Sequence, residues 1–286
     1  MAEDVQKTTQ AAEVWRRLKR NRAAIAGGVI VLLFVAVALL APAIAPHPPN
    51  TGDLNQRLAP PSMEHWLGTD ALGRDILSRI IYGAQVSLQI QVVAVLIALV
   101  IGTLLGMFGG YYGGVTDNFI MRLMDILLAF PGIFLAIAII AVLGPGLLNL
   151  MLAAGIYSIP QFARIVRGSI LSLKEKEFVE AARAAGESDL SILFRYLLPN
   201  SMAPIIIQTT LRMATVLLTA SGLSFLGLGV QPPHAEWGAM LSTARPYLIT
   251  APHVATFPGL AIMLVVMGFN LFGDGLRDSL DPRLKD

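Results

Sequence analysis

Few residues in this chain could do covalent chemistry. It holds no cysteine, which excludes thiol nucleophiles, disulfides and thiolate metal sites. The four histidines are scattered and no H-E-x-x-H occurs, so no metal site is expected. No G-x-S-x-G elbow is present, so no catalytic residue is assigned. No G-x-x-x-x-G-K-[ST] phosphate loop is present either, which rules out ATP hydrolysis by that route. What remains are charges in unusual places. Arg212 stands inside the apolar run 203–222, and Asp125 follows Arg122 at a spacing that permits a helical pair. His65, Asp70, Arg74 and Asp75 gather around Gly68 and Gly73. The stretch 177–200, EFVEAARAAGESDLSILFRYLLPN, sets Glu180 in a charged segment between apolar runs. These groups suit recognition rather than catalysis: a cation for an anionic cargo, and a polar contact for another protein.

The elements that position them are written in the composition. The chain of 286 residues is 55% hydrophobic and 14% charged, against about 25% charged in an average soluble domain. A bilayer is the expected solvent. The net charge of +2 is too small to point to nucleic acid. Six apolar runs, 23–41, 86–109, 122–143, 147–163, 203–222 and 257–273, are each near the ~20 residues a membrane helix needs. The first follows Arg16, Arg17, Lys19, Arg20 and Arg22. Its length exceeds the 7–15 residues of a signal-peptide core, so it is expected to stay as a true span. The shorter run 223–230 is expected to tuck back into the external face.

With the N-terminus inside, the inner segments hold sixteen Lys and Arg, and the outer ones hold only Arg57, Arg74, Arg79 and Arg245. That bias places both termini in the cytoplasm. The organisation is then a basic tail (1–22), a first span with its external segment (23–83), and a transmembrane domain (84–286) with a cytoplasmic loop at 174–200.

That loop reads as helix, turn, helix. Phe178, Ala181, Ala182 and Ala185 fall on one face. Gly186 can end the first helix in a left-handed cap, Ser188 can cap the second, and Leu190, Leu193, Phe194 and Leu197 give it an apolar face. Periodicity alone leaves two readings open, a hairpin packed on its own bundle or a surface made for another protein.

The spacing Glu180-Ala181-Ala182, then Gly186, then Leu198-Pro199, resembles the EAA loop of ABC importer permeases. Tyr196, at a position that is hydrophobic in the family, is a mild departure. His65-x-Leu67-Gly68-Thr69-Asp70 with Gly73-Arg74-Asp75, the run 224–232 with Trp237-Gly238, and the ending 269–278 with Asp281-Pro282-Arg283 resemble the C-type subunit of dipeptide/oligopeptide permeases. The resemblance implies an all-α, six-span ABC type I importer permease in a prokaryotic inner membrane. It implies a B-type permease as heterodimer partner, two ABC ATPase subunits that bind ATP and Mg, and an external substrate-binding protein. This chain itself would bind no cofactor. Dipeptides or oligopeptides are the implied cargo, with nickel or glutathione as alternatives in the same branch. Residues 180–182, Gly186, Leu198 and Pro199 would couple to the ATPases, and Arg212 would line the path. His65, Asp70, Arg74, Asp75 and Trp237 are the candidates for external contacts. A stand-alone channel or secondary transporter would often show internal repeats, and none is seen.

Overall fold

The computed structural model describes residues 15–280. The first part of the basic tail (1–14) and the ending 281–286, with Asp281-Pro282-Arg283, lie outside the described residues. Within them every long element is helical. α1 (Arg22–Ile44) starts at Asn21, whose side chain accepts from Ala24 N at 3.1 Å. α2 (Ile76–Tyr112) runs 37 residues from its Asp75 cap without a proline. α3 (Gly114–Leu128), α4 (Gly132–Leu143) and α5 (Leu147–Leu173) follow. A cytoplasmic helix, α6 (Glu177–Ala184), leads through a second helical stretch to α7 (Met202–Phe225). The external α8 (Trp237–Ala244) and the last helix, α9 (His253–Leu280), complete the order.

α1, α2, α7 and α9 are long and apolar enough to cross a membrane, and the pair α3/α4 makes a fifth candidate. α5, expected as a further span, carries no charge over residues 147–163 but is less apolar than these and is not among the four or five. The expected third span is not one helix. α3 and α4 meet at a bend of 89°. Pro131 lacks an N–H and pushes Phe130 out of the helical region, so α3 closes at Ala129, whose N–H bonds Asp125 O at 2.9 Å. Leu32, Leu33 and Leu39 on α1 stay exposed, as expected of a face turned to lipid.

α2 and α5 form the most extensive helix pair, and the reason is a stripe of small residues. Gly102, Gly106 and Gly110 recur every four positions on α2 and let α5 approach to backbone contact. A Cβ at Gly106 would lie 2.4 Å from Ala163 O, and one at Gly102 would lie 2.5 Å from Phe162 Cβ. Around this seam Ile90, Ala94, Leu150, Ala154 and Phe162 form one buried cluster. A second joins Phe34 of α1 to Trp237, Met240 and Phe269. The third lies beneath the cytoplasmic loop.

Two ion pairs tie α3 to α5. Arg167 donates Nε and Nη2 to the two oxygens of Asp117, both at 2.6 Å. Asp125 pairs with Arg164 at 2.6 Å, not with Arg122 as the local spacing suggested. The real partner is 39 residues away and arrives only when α5 packs. The first pair is two-pronged and partly buried, whereas both members of the second are more than half exposed. Asp117→Asn is therefore expected to cost about 1–3 kcal/mol, and Asp125→Asn no more than about 1 kcal/mol. Thermal denaturation of the two variants in one detergent checks the order.

Candidate coupling surface and translocation path

The cytoplasmic loop is a closed unit. α6 ends at Ala185, and Gly186 takes the left-handed conformation at φ +82°. Gly186 N donates to Arg183 O and Glu187 N to Ala182 O, at 3.0 and 3.1 Å. That is a Schellman turn. Ser188 then caps the next stretch by accepting from Ser191 N at 3.3 Å. Residues 189–200 continue as one helical run whose middle, Ile192–Leu197, is wound as a π-helix.

The faces differ from the periodicity reading. The inward side of α6 is Val179 and Ala182, packed on Ile192, Leu193 and Leu197 and on Met107, Tyr111, Val166 and Ile170 of α2 and α5. Phe178, Leu190 and Phe194 remain 37%, 56% and 45% exposed. Glu180, Ala181, Ala185 and Pro199 are exposed beside them, while Leu198 is half-buried. The hairpin is thus packed on its own bundle and still leaves Phe178, Leu190, Phe194 and Glu180 exposed. Tyr111 fixes its seat: its hydroxyl donates to Asp189 Oδ1 at 2.7 Å, and Arg183 lies over its ring at 5.5 Å. Tyr196 packs its ring on the same cluster and sends its hydroxyl to Glu187 Oε1 at 3.4 Å. A phenol at this hydrophobic position keeps the packing and adds a tie across the turn.

Arg212 sits midway along α7, half-buried, and its Nε is buried with no hydrogen-bond partner among the described residues. A charged side chain at the centre of a membrane helix costs roughly 2.5–3.5 kcal/mol on insertion scales. One residue away, Leu211 packs on α9 at Gly273. Between α7 and α9 lies an open cavity of about 570 Å3 bordered by Leu218, Met263, Met267, Asn270 and Asp274.

The residues expected at external contacts mostly turn inward. Asp70, Arg74, Asp75 and Trp237 are buried within the chain. Asp70 Oδ1 accepts from Leu72 N and Arg74 N, and its Oδ2 from Arg74 Nε at 2.7 Å, which builds the turn before α2. Asp75 caps α2, and His65 lies against it. Trp237 donates from Nε1 to Ile80 O at 3.0 Å and covers Gly83. Their conspicuous spacing therefore serves the fold of the external segment. Its exposed large apolar residues include Leu54, Met63, Trp66 and Leu72, which no pattern in the sequence marked out. Glu236, in the external stretch 231–256, also turns inward. It is buried, accepts from Gly238 N and Ala239 N at the start of α8, and burial pushes its carboxyl above the usual range.

Comparison with known proteins bears on all of these features. Residues 102–286 match the family model described as binding-protein-dependent transport system inner membrane component, and residues 9–61 match the N-terminal TM domain of oligopeptide transport permease C. The chain is 53% identical, over 96% of its length and 90% of the relative, to the glutathione transport system permease protein GsiD of Shigella flexneri serotype 5b. It is 52% identical over the same shares to GsiD of Escherichia coli O6:K15:H31. Two inward-facing crystal forms of the MetNI methionine ABC transporter superpose with TM-scores of 0.57 and 0.56 at 18% and 19% identity. They cover 71% and 72% of this chain, and 97% and 98% of theirs. These last share the fold.

Proposed function

Because this chain belongs to the binding-protein-dependent transport system inner membrane component family and is a permease subunit of an ABC importer, we propose that it forms half of a path for glutathione or a similar short peptide. The observation that carries the coupling part is the hairpin 174–200, which leaves Phe178, Leu190 and Phe194 exposed, with Glu180 exposed on the same hairpin, although three of its leucine and isoleucine side chains are fully buried. In this reading an ABC ATPase covers that surface, and its closure pushes the hairpin. Two such subunits bind ATP and Mg, a B-type permease lies along the α7/α9 face, and a substrate-binding protein approaches the external segment.

Identity above one half to permeases named for glutathione supports that cargo, with other peptides next and nickel as the rival of different chemistry. Glutathione is a net anion with carboxylates at both ends, and Arg212 offers an unpaired cation at mid-membrane depth. The test is reconstitution of the purified complex in vesicles, with labelled glutathione, a neutral dipeptide and Ni2+ supplied to the external face. ATP-dependent uptake of glutathione is the expected result. Uptake without ATP, or recovery of the chain with no ATPase, overturns the reading.

Arg212→Ala is expected to lower glutathione uptake at least tenfold, or about 1.4 kcal/mol, with unchanged recovery of all subunits. Arg212→Lys keeps the charge without the planar fork and should retain part of the activity. Equal uptake by wild type and Arg212→Ala removes this residue from the path.

A further inference from the structure

The sequence keeps the histidines apart, yet the external segment brings two of them together. His47 follows the outer end of α1, and His65 precedes the Asp75 cap of α2. Their ring centroids are 4.8 Å apart. One nitrogen of each ring and one oxygen of Asp75 all lie within 4.8 Å of one another. They line a polar cavity of about 280 Å3, with Gln56, Asp53 and Glu64 also on its wall.

One tautomer of His65 leaves a place for a cation. In the tautomer with the proton on Nε2, this nitrogen donates to Gln56 Oε1 at 2.7 Å. Its Nδ1 lies 3.0 Å from Asp75 Oδ1. In the neutral ring that nitrogen holds a lone pair, which then faces a carboxylate oxygen. The two repel unless a proton or a metal ion stands between them. The second oxygen of Asp75 is already committed, since Oδ2 accepts from Ser78 N and Ser78 Oγ at 2.7 Å. That bond fixes the carboxylate on the helix cap and leaves Oδ1 for a third party. His47 Nε2 lies 3.1 Å from Glu64 O, so its proton is held there and its Nδ1 keeps a lone pair. Acceptors on the far nitrogens are what orient metal-bound imidazoles.

We propose that His47, His65 and Asp75 form an external site for a divalent transition metal of the zinc class. Ligands about 2.0 Å from a tetrahedral ion sit roughly 3.3 Å apart, close to the 3.0 Å between His65 Nδ1 and Asp75 Oδ1. Two imidazoles and one carboxylate suit zinc, whereas calcium and magnesium need a shell of oxygens. The fourth position opens to water in the cavity. The bound ion ties the exit of α1 to the first turn of α2.

The test uses the assembled complex without a histidine tag, dialysed against Zn2+ in the presence of excess Ca2+ and Mg2+. The expected result is one zinc per permease chain that His47→Gln and His65→Ala lose and His234→Ala keeps. His47→Gln retains an amide donor for Glu64 O, so it holds the loop while removing a ligand. Zinc uptake equal in wild type and His47→Gln overturns the proposal. So does no saturable uptake, which is the result if the Gln56 amide donates to Nε2 and leaves the proton on Nδ1.

Discussion

Replacing Gly186 with valine is expected to cut ATP-dependent import at least tenfold while the chain still enters the membrane and pairs there. The backbone at this position stands at φ +82°. An L residue pays about 1–2 kcal/mol there, and a β-branched one more. Space is not the problem, because a Cβ on Gly186 meets nothing within 4 Å. The penalty is torsional, and the chain relieves it by giving up the two bonds that close the turn, Gly186 N to Arg183 O and Glu187 N to Ala182 O. Once they open, α6 swings away from residues 189–200, and Phe178 no longer shares one surface with Leu190 and Phe194. Tenfold in coupling corresponds to about 1.4 kcal/mol, which the torsional term alone supplies. Gly186→Asn is the control, since asparagine enters the left-handed region at little cost. Uptake and ATPase recovery are measured for both. If valine and asparagine behave alike, the handedness of the turn has no part in coupling.

Gly106→Leu is expected to abolish recovery of folded chain altogether. Its Cβ would stand 2.4 Å from Ala163 O, 2.9 Å from Val166 Cβ and 3.0 Å from Arg167 N. Two of those three atoms are backbone, so no rotamer can yield. Either α2 and α5 separate along the whole seam or the helices distort, and overpacking of a close interface costs at least 1–3 kcal/mol. Separation would also uncover the cluster under the hairpin, because Met107, Val166 and Ile170 sit on these two helices. Gly110→Leu should be milder, since its nearest neighbours at 3.0 Å are side-chain atoms of Ile170. Gly168→Ala, with nothing within 4 Å, should leave the melting temperature unchanged or slightly raised. Fluorescence-detected gel filtration and thermal melts of the series check the order. A well-folded Gly106→Leu chain would refute the seam.

How far the sequence could be read depended on whether a feature was local. Gly186 and Ser188 were legible because a cap involves only its own few residues. Four of the expected spans were legible as single long apolar helices because spanning length is a local count. Three features were not, each for a physical reason. The bend at Pro131 joins two runs that are both apolar, so hydropathy passes through it without a mark. Asp125 had a plausible partner three residues away, and the true one, Arg164, is chosen by the packing of α5. In the hairpin the period correctly announced two-sided helices but not which side the bundle takes. Val179 and Ala182 go in and Phe178 stays out, leaving the candidate coupling surface outside the core. The external motif was legible as a pattern, but not the burial of Asp70, Arg74, Asp75 and Trp237, because buried polar turns and docking residues draw on the same amino acids.

The unbroken length of α2 has a mechanical consequence. At 1.5 Å per residue its 37 residues span about 55 Å. Clamped to α5 along a seam with almost no compressible side chain, it behaves as a lever. Its inner end carries Met107 and Tyr111, against which the hairpin bears, and its outer end carries Asp75 and the external segment. A tilt of about ten degrees about the inner end would carry the outer end roughly 10 Å sideways. A force applied at the hairpin would reach the external face as displacement, with no relay of side-chain rearrangements in between.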